Sequence, residues 1–168
     1  RAGVKTVART EEGYAIDMGP WSFIHGEAAR EGGEDCLVSA RGLKTPRAGL
    51  SISMGNPHTV VMLGSDGKLD GLDLHSLPQV NPAPVNGTNV EFVVPVDLDV
   101  ESGAHVGAIR MRVHERGVGE TLSCGTGACA AAAATRFWGG EEAPDEWLVH
   151  VPGGTLAVTF VLGPDDLE

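Results

Sequence analysis

Cys124 lies between two glycine-rich stretches, Gly117-Val118-Gly119 and Gly125-Thr126-Gly127, and its surroundings suit it to chemistry better than those of any other residue. A strand-like run, Ala108–His114, ends before it, and an alanine run, Ala130–Ala134, follows it. The order is strand, turn, helix, with the cysteine where the helix begins. At a helix start the first N–H groups lack intrahelical partners, and the aligned peptide dipoles leave partial positive charge. A thiol held there gives up its proton more readily, and the same N–H groups can bind a carboxylate. Gly125 and Gly127 have no Cβ, so a ligand can come close to the backbone. The expected chemistry is an acid/base thiol beside an anion site.

The other chemistry-bearing residues are ordinary when read alone. Cys129 falls among the helix alanines and Cys36 in a stretch of mixed polarity. Both read as packing residues. Gly55-Asn56-Pro57-His58 is a turn cluster between two apolar runs. Its asparagine offers donors and acceptors suited to an amino acid, and His58 could serve as a general base near neutral pH. Asn86-Gly87-Thr88-Asn89 is a second turn leading into a strand, and Glu115-Arg116 is an adjacent opposite-charge pair. Such pairs are usually solvated; the position of this one, just before the glycine turn and Cys124, argues for a site role. No Cys-x-x-Cys or His-x-x-x-His spacing occurs, and the glycine turn lacks a P-loop lysine. Neither a metal nor a nucleotide cofactor is expected.

The elements that must position these residues are mostly short strands. Val4–Arg9 and Tyr14–Met18 read as a hairpin turning at Glu11-Glu12-Gly13. Gly49–Met54, Thr59–Leu63, Asn89–Val94, Ala108–His114, Glu146–Val151 and Gly154–Val161 read as further strands. Ala108–His114 alternates apolar Ile109, Met111 and Val113 with polar Arg110, Arg112 and His114, predicting a half-buried strand paired with Asn89–Val94. Pro20–Leu43 reads as a loop with an irregular strand, and a short helix is expected near Leu74–Leu77. Gly125–Trp138 is predicted to be helical and, with almost no charge before Arg136, buried on most sides. The fold class expected is α+β, with antiparallel strands wrapped around a central alanine-rich helix in one domain.

The 168 residues include 24 glycines and 10 prolines, in keeping with many turns. A formal net charge of -11 argues against nucleic acid and anionic membranes as partners. No apolar run is long enough to span a bilayer, and no signal-peptide core stands at the N-terminus. Three cysteines are too few for a disulfide framework, so a reducing cytoplasm is the expected location.

Taken together, Ser53-Met54-Gly55-Asn56-Pro57-His58, Gly87-Thr88-Asn89-Val90, the block from Glu115-Arg116-Gly117 through Cys129, and Val151-Pro152-Gly153-Gly154 resemble the diaminopimelate epimerase family. The resemblance spans nearly the whole chain, least at Pro20–Leu43. It covers the C-terminal half of the family pattern. Residues 1–168 then read as a single domain equivalent to that half, with the N-terminal half and its cysteine motif, an Asn-Gly run before a Cys, absent from this sequence.

The resemblance implies epimerisation of LL-diaminopimelate to meso-diaminopimelate by two cysteines facing the α-carbon, without pyridoxal phosphate or metal, and with an amino acid as the small-molecule substrate. It implies Cys124 as the thiol of this half and Glu115 as its proton partner, with His58 assisting the absent cysteine. It assigns the distal end of the substrate to Asn56, Asn89, Glu115 and Arg116, and the reacting carboxylate to the backbone of Gly125 and Thr126. The isolated chain is expected to be inactive. Its interdomain face would lie open to self-association, which leaves room for a homodimer. A histidine or proline racemase type on the same fold and a non-catalytic ligand-binding half-domain are the competing expectations.

Overall fold

The computed structural model describes residues 4–11, 13–97 and 105–161. Short β-forming runs broken by turn clusters build most of it. β1 (Val7–Thr10) and β2 (Gly13–Ile16) form a separate antiparallel hairpin, and Glu12 in its turn lies outside the described residues. One ten-stranded sheet holds β3 (Ser22–Phe23), β4 (Cys36–Ser39), β5 (Arg47–Ser53), β6 (Pro57–Met62), β7 (Gln79–Asn81), β8 (Asn89–Pro95), β9 (Val106–Glu115), β10 (Gly119–Thr121), β11 (Glu146–Val151) and β12 (Gly154–Thr159). Its main path runs β12-β11-β9-β8-β6-β5-β4-β7, with β10 on β9 and β3 on β5.

The sheet is mixed rather than wholly antiparallel. β6 with β8, and β9 with β11, are parallel pairs. A parallel pair cannot close with a tight turn; its connection must cross over a face of the sheet. The β9–β11 crossover carries the long helix α3 (Gly125–Gly139), and the β6–β8 crossover carries the short helix α2 (Asp66–Asp70). The two helices lie against opposite faces and divide the core in two.

Against α3 lie Leu50, Ile52, Val60, Val93, Ile109, Met111, Val113, Val149 and Val158. Ala130, Ala131, Ala132 and Ala134 of α3 are fully buried in this layer. Methyl-sized side chains let the sheet close tightly over the helix, as close packing of interiors requires. On the other face Val38, Val61, Leu63, Val90, Phe92 and Val94 pack with Leu69, Leu72 and Leu74.

β9 serves both faces. Ile109, Met111 and Val113 point to α3. The alternate residues were expected to face solvent, yet α2 and the segment after it cover them. Arg112 donates to the Leu69 and Leu72 carbonyls at 2.7 and 3.1 Å and pairs with Glu120. Buried His114 donates from Nδ1 to the Leu74 carbonyl at 2.8 Å, and Arg110 holds Asp66 and Asp70. Arg112 and His114 thus satisfy carbonyls at the end of α2 and in the segment that follows it.

Other elements also differ from the sequence reading. Pro20–Leu43 contains a helix, α1 (Gly26–Gly32), between β3 and β4. Only Ala29 of that helix is buried, so it has no apolar stripe to reveal it. The second short helix is at Asp66–Asp70, ahead of the expected Leu74–Leu77. β7 and β10 are three-residue strands, too short to leave an alternating pattern. No helix among the described residues is long and apolar enough to cross a membrane.

Substituting Ala132→Leu should lower stability by about 1–3 kcal/mol through overpacking of α3 against the sheet. A fall in the urea midpoint at unchanged slope would show it; an unchanged midpoint would mean that this layer has room to spare.

Candidate active site

β9 ends at Glu115, β10 folds back on it, and α3 starts at Gly125 with Cys124 as its N-cap. Cys124 is extended, at φ -137° and ψ 111°, and its carbonyl accepts the first helical hydrogen bond, from the Ala128 N–H at 2.8 Å. No side chain caps this helix. An Asn, Asp, Ser or Thr at the N-cap would normally occupy the free N–H groups, whereas sulfur is a weak acceptor. The helix start therefore keeps donors for a ligand, and the Cys124 sulfur lies among them.

Two donors reach that sulfur. The Thr126 Oγ1 is 3.6 Å from Sγ, and the Gly127 N–H points to it. Both favour the thiolate. Burial opposes them and prevails, with Glu115 adding like-charge repulsion, so the Cys124 thiol sits above its ordinary pKa. The activated thiol expected from the helix start is thus not found in this chain: loss of water outweighs the helix end. The other two cysteines are also free. Burial, with help from neighbouring Asp35, pushes Cys36 up to about 12, and burial pushes Cys129 up to about 11.

The parallel register sets His58 beside Asn89 and Val60 beside Glu91. His58 is completely buried, and both ring nitrogens are engaged. Nδ1 meets Glu91 Oε1 at 2.6 Å, and Nε2 meets Asn56 Oδ1 at 3.1 Å. The Asn56 amide nitrogen reaches Thr126 Oγ1 at 3.4 Å. His58, expected to assist the absent cysteine, lies beneath Asn56 with neither ring nitrogen free. The sequence reading also passed over Glu91. Lying between Val90 and Phe92 in an apolar run, it carries no local sign of function. It is fully buried, burial raises its pKa despite the His58 hydrogen bond, and its Oε2 has no partner. A carboxylate inside a β-forming run was the one available signal, since buried acids are rare without a partner.

Asn89 joins the two loops. Its Nδ2 donates to the Pro57 carbonyl at 3.0 Å, and its Oδ1 accepts the Arg116 N–H at 2.9 Å. The Arg116 guanidinium donates to the Asn86 carbonyl at 2.8 Å, and Glu115 accepts the Thr121 hydroxyl at 2.6 Å. Asn56, His58, Thr126 and Cys124 thus form one connected group and Asn89 and Arg116 a second, while Glu115, bonded to Thr121, is close enough to the sulfur to act on its charge. Two shallow depressions, one beside Cys36 and one beside Trp138, include none of these residues. Among the described residues no three His, Cys, Asp or Glu side chains gather closely enough to hold a metal ion.

Comparison with known proteins accords with this arrangement. The family model described as diaminopimelate epimerase matches residues 50–161. The chain is 41% identical over 168 residues to a diaminopimelate epimerase of Streptomyces coelicolor, covering 95% of this chain and 51% of that protein. It is 40% identical to the Mycobacterium tuberculosis H37Rv enzyme of the same name, covering 96% and 53% respectively. For the Rhodococcus erythropolis enzyme the identity is 37%, covering 100% and 53%. The chain spans about half the length of the curated relatives it matches. With the matched residues running from β5 to beyond β12 and including every member of the Cys124 group, the chain belongs to the diaminopimelate epimerase family.

Proposed function

We propose that this chain carries one face of an active site that inverts the α-carbon of diaminopimelate, from the LL to the meso form, with Cys124 as one of two acid/base groups. The observation that carries this reading is the uncapped start of α3, where a sulfur, two donors to it and free backbone N–H groups share one place.

Inversion at an α-carbon needs a base on one side and an acid on the other. As thiolate, Cys124 removes the α-proton from its own face while the second group protonates the other; in the reverse reaction, as thiol, it returns a proton to that same face. The N–H groups of Gly125 and Thr126 hold the α-carboxylate. As the proton leaves, negative charge builds on that carboxylate, where the helix end stabilises it. The raised pKa of Cys124 suits this exchange. A thiol kept protonated is a competent acid, and the Thr126 and Gly127 donors stabilise the thiolate when it forms.

Glu115 supports proton exchange at Cys124 from the end of β9. Arg116 takes the distal carboxylate by paired N–H donors, while Asn56, Asn89 and Glu115 shape the distal pocket. Asn89 does so by tying the Arg116 backbone to Pro57. The second acid/base group comes from outside this chain. Cys36 belongs to the α2-side core and Cys129 follows Cys124 along α3 itself, so neither faces Cys124 across a substrate.

Joining this chain to the N-terminal half of the Streptomyces coelicolor relative should restore exchange of the substrate α-hydrogen in deuterated water. Cys124→Ser should lower that exchange by about 10²–10⁴-fold, the usual worth of a positioned acid/base group, while circular dichroism stays unchanged. Exchange at full rate in the Ser variant removes Cys124 from the mechanism, and exchange by the 168-residue chain alone removes the outside group.

Thiol labelling gives a check without substrate. A raised pKa keeps a thiol protonated and slow, and its rate climbs roughly tenfold per pH unit until the raised value is reached. Cys129 should therefore stay slow at pH 8 and speed up towards about 11, and Cys36 towards about 12. Peptide mapping after iodoacetamide treatment at pH 8 should find Cys124 modified first; equal rates at all three would deny it any special environment.

A further inference from the structure

We propose that Glu91 is a positioning residue for Cys124: a proton held between Glu91 and His58 fixes a one-way file of hydrogen bonds, through Asn56 and Thr126, that ends on the Cys124 sulfur. This rests on the reading of Cys124 as the acid/base group and adds a device that holds it ready.

The direction of the file follows from the donors. Asn56 turns its amide nitrogen to Thr126 Oγ1, at 3.4 Å, so its carbonyl oxygen faces His58 Nε2, at 3.1 Å. That oxygen can only accept, so Nε2 carries a hydrogen. At the other side of the ring, Nδ1 and Glu91 Oε1 are 2.6 Å apart. Two lone pairs cannot meet at that distance, so one proton lies between them. Thr126 Oγ1 already accepts from Asn56, which leaves its own hydrogen for Sγ, at 3.6 Å. From Nε2 onward every donor points towards the sulfur. The Asn56 amide cannot turn over, because its NH₂ would then face the N–H of His58. The shared proton thereby holds the whole file in one sense, and the file favours the thiolate.

Packing points to the same role. A Cβ on Gly127 would lie 2.8 Å from Glu91 Oε1 and 3.2 Å from Cys124 Sγ, so carboxylate and sulfur both press against the bare first turn of α3. Glu91 is completely enclosed, and its Oε2 is without a partner. A lone carboxylate there would be costly, and a proton shared with His58 makes the pair neutral as a unit. The other ionisable groups near the pair are Glu115 from β9 and Cys124 from α3.

The test uses Glu91→Gln and Glu91→Leu in the 168-residue chain, with two readouts that need no turnover. The glutamine amide can donate to Nδ1 and preserve the file; leucine fills the volume and cannot. At pH 7 the ¹⁵N spectrum should find His58 protonated at Nε2 in the wild type and in Glu91→Gln, and exchanging between tautomers in Glu91→Leu. Cys124 alkylation at pH 8 should stay near the wild-type rate in Glu91→Gln. In Glu91→Leu it should slow by roughly three- to tenfold, the loss of one net hydrogen bond. A Leu variant that labels as fast as wild type or faster, or a Gln variant as slow as the Leu variant, overturns the proposal. Should the Leu variant fail to fold, the wild-type spectrum decides, because a His58 with bare Nε2 breaks the file at its second link. The epimerase reading fails separately, on α-hydrogen exchange.

Discussion

The parallel pairing of β9 with β11 is the constraint on which the rest of this chain depends. Parallel neighbours need a crossover, and this one is α3, pressed flat on the sheet. A helix that lies so close must be made of small residues, hence Ala130–Ala134. Its start must then come where β9 and β10 finish, and Cys124 is the residue at that point. The chemistry is placed by the topology: the segment that closes the fold also carries the sulfur to the end of the strand that brings Glu115 and Arg116.

Burial and the helix end act on Cys124 in opposite directions, and burial wins. This departs from the simple picture of a helix N-terminus producing a reactive thiolate. Desolvation penalises a charge over the whole of its exposed surface, whereas the helix end contributes a partial charge from a few N–H groups. The sulfur is therefore held by a balance: Thr126 and Gly127 on one side, burial and the Glu115 carboxylate on the other. A positive charge brought close to the sulfur would tip that balance towards the thiolate.

Much of this was legible in the residues. Glycine on both sides of Cys124, followed by five alanines, described a strand–turn–helix and its buried partner, and the Asn56–His58 turn and Glu115-Arg116 pair fell where the fold collects them. What stayed hidden depends on contacts between distant segments. β6 and β8 align in parallel, and only that register sets His58 near Glu91. α1 buries a single residue and leaves no periodic trace. The polar face of β9 looked solvated because α2, its cover, is five residues long and itself polar. Periodicity reports which side of a strand is apolar; it does not report that the other side has been roofed by donors and carbonyls.

The alternation along β8 has a consequence for what lengths this strand can tolerate. Val90, Phe92 and Val94 belong to one core, while Val93 belongs to the other and Glu91 lies beneath the first turn of α3. Neighbouring side chains on a strand face opposite ways, so a frame error of one residue exchanges the two sets completely. Phe92 would then be driven under the alanines, where no volume exists for a ring, and the carboxylate would be stranded among leucines. The loops around β8 have room to lengthen or shorten, but the strand itself must keep its residue count.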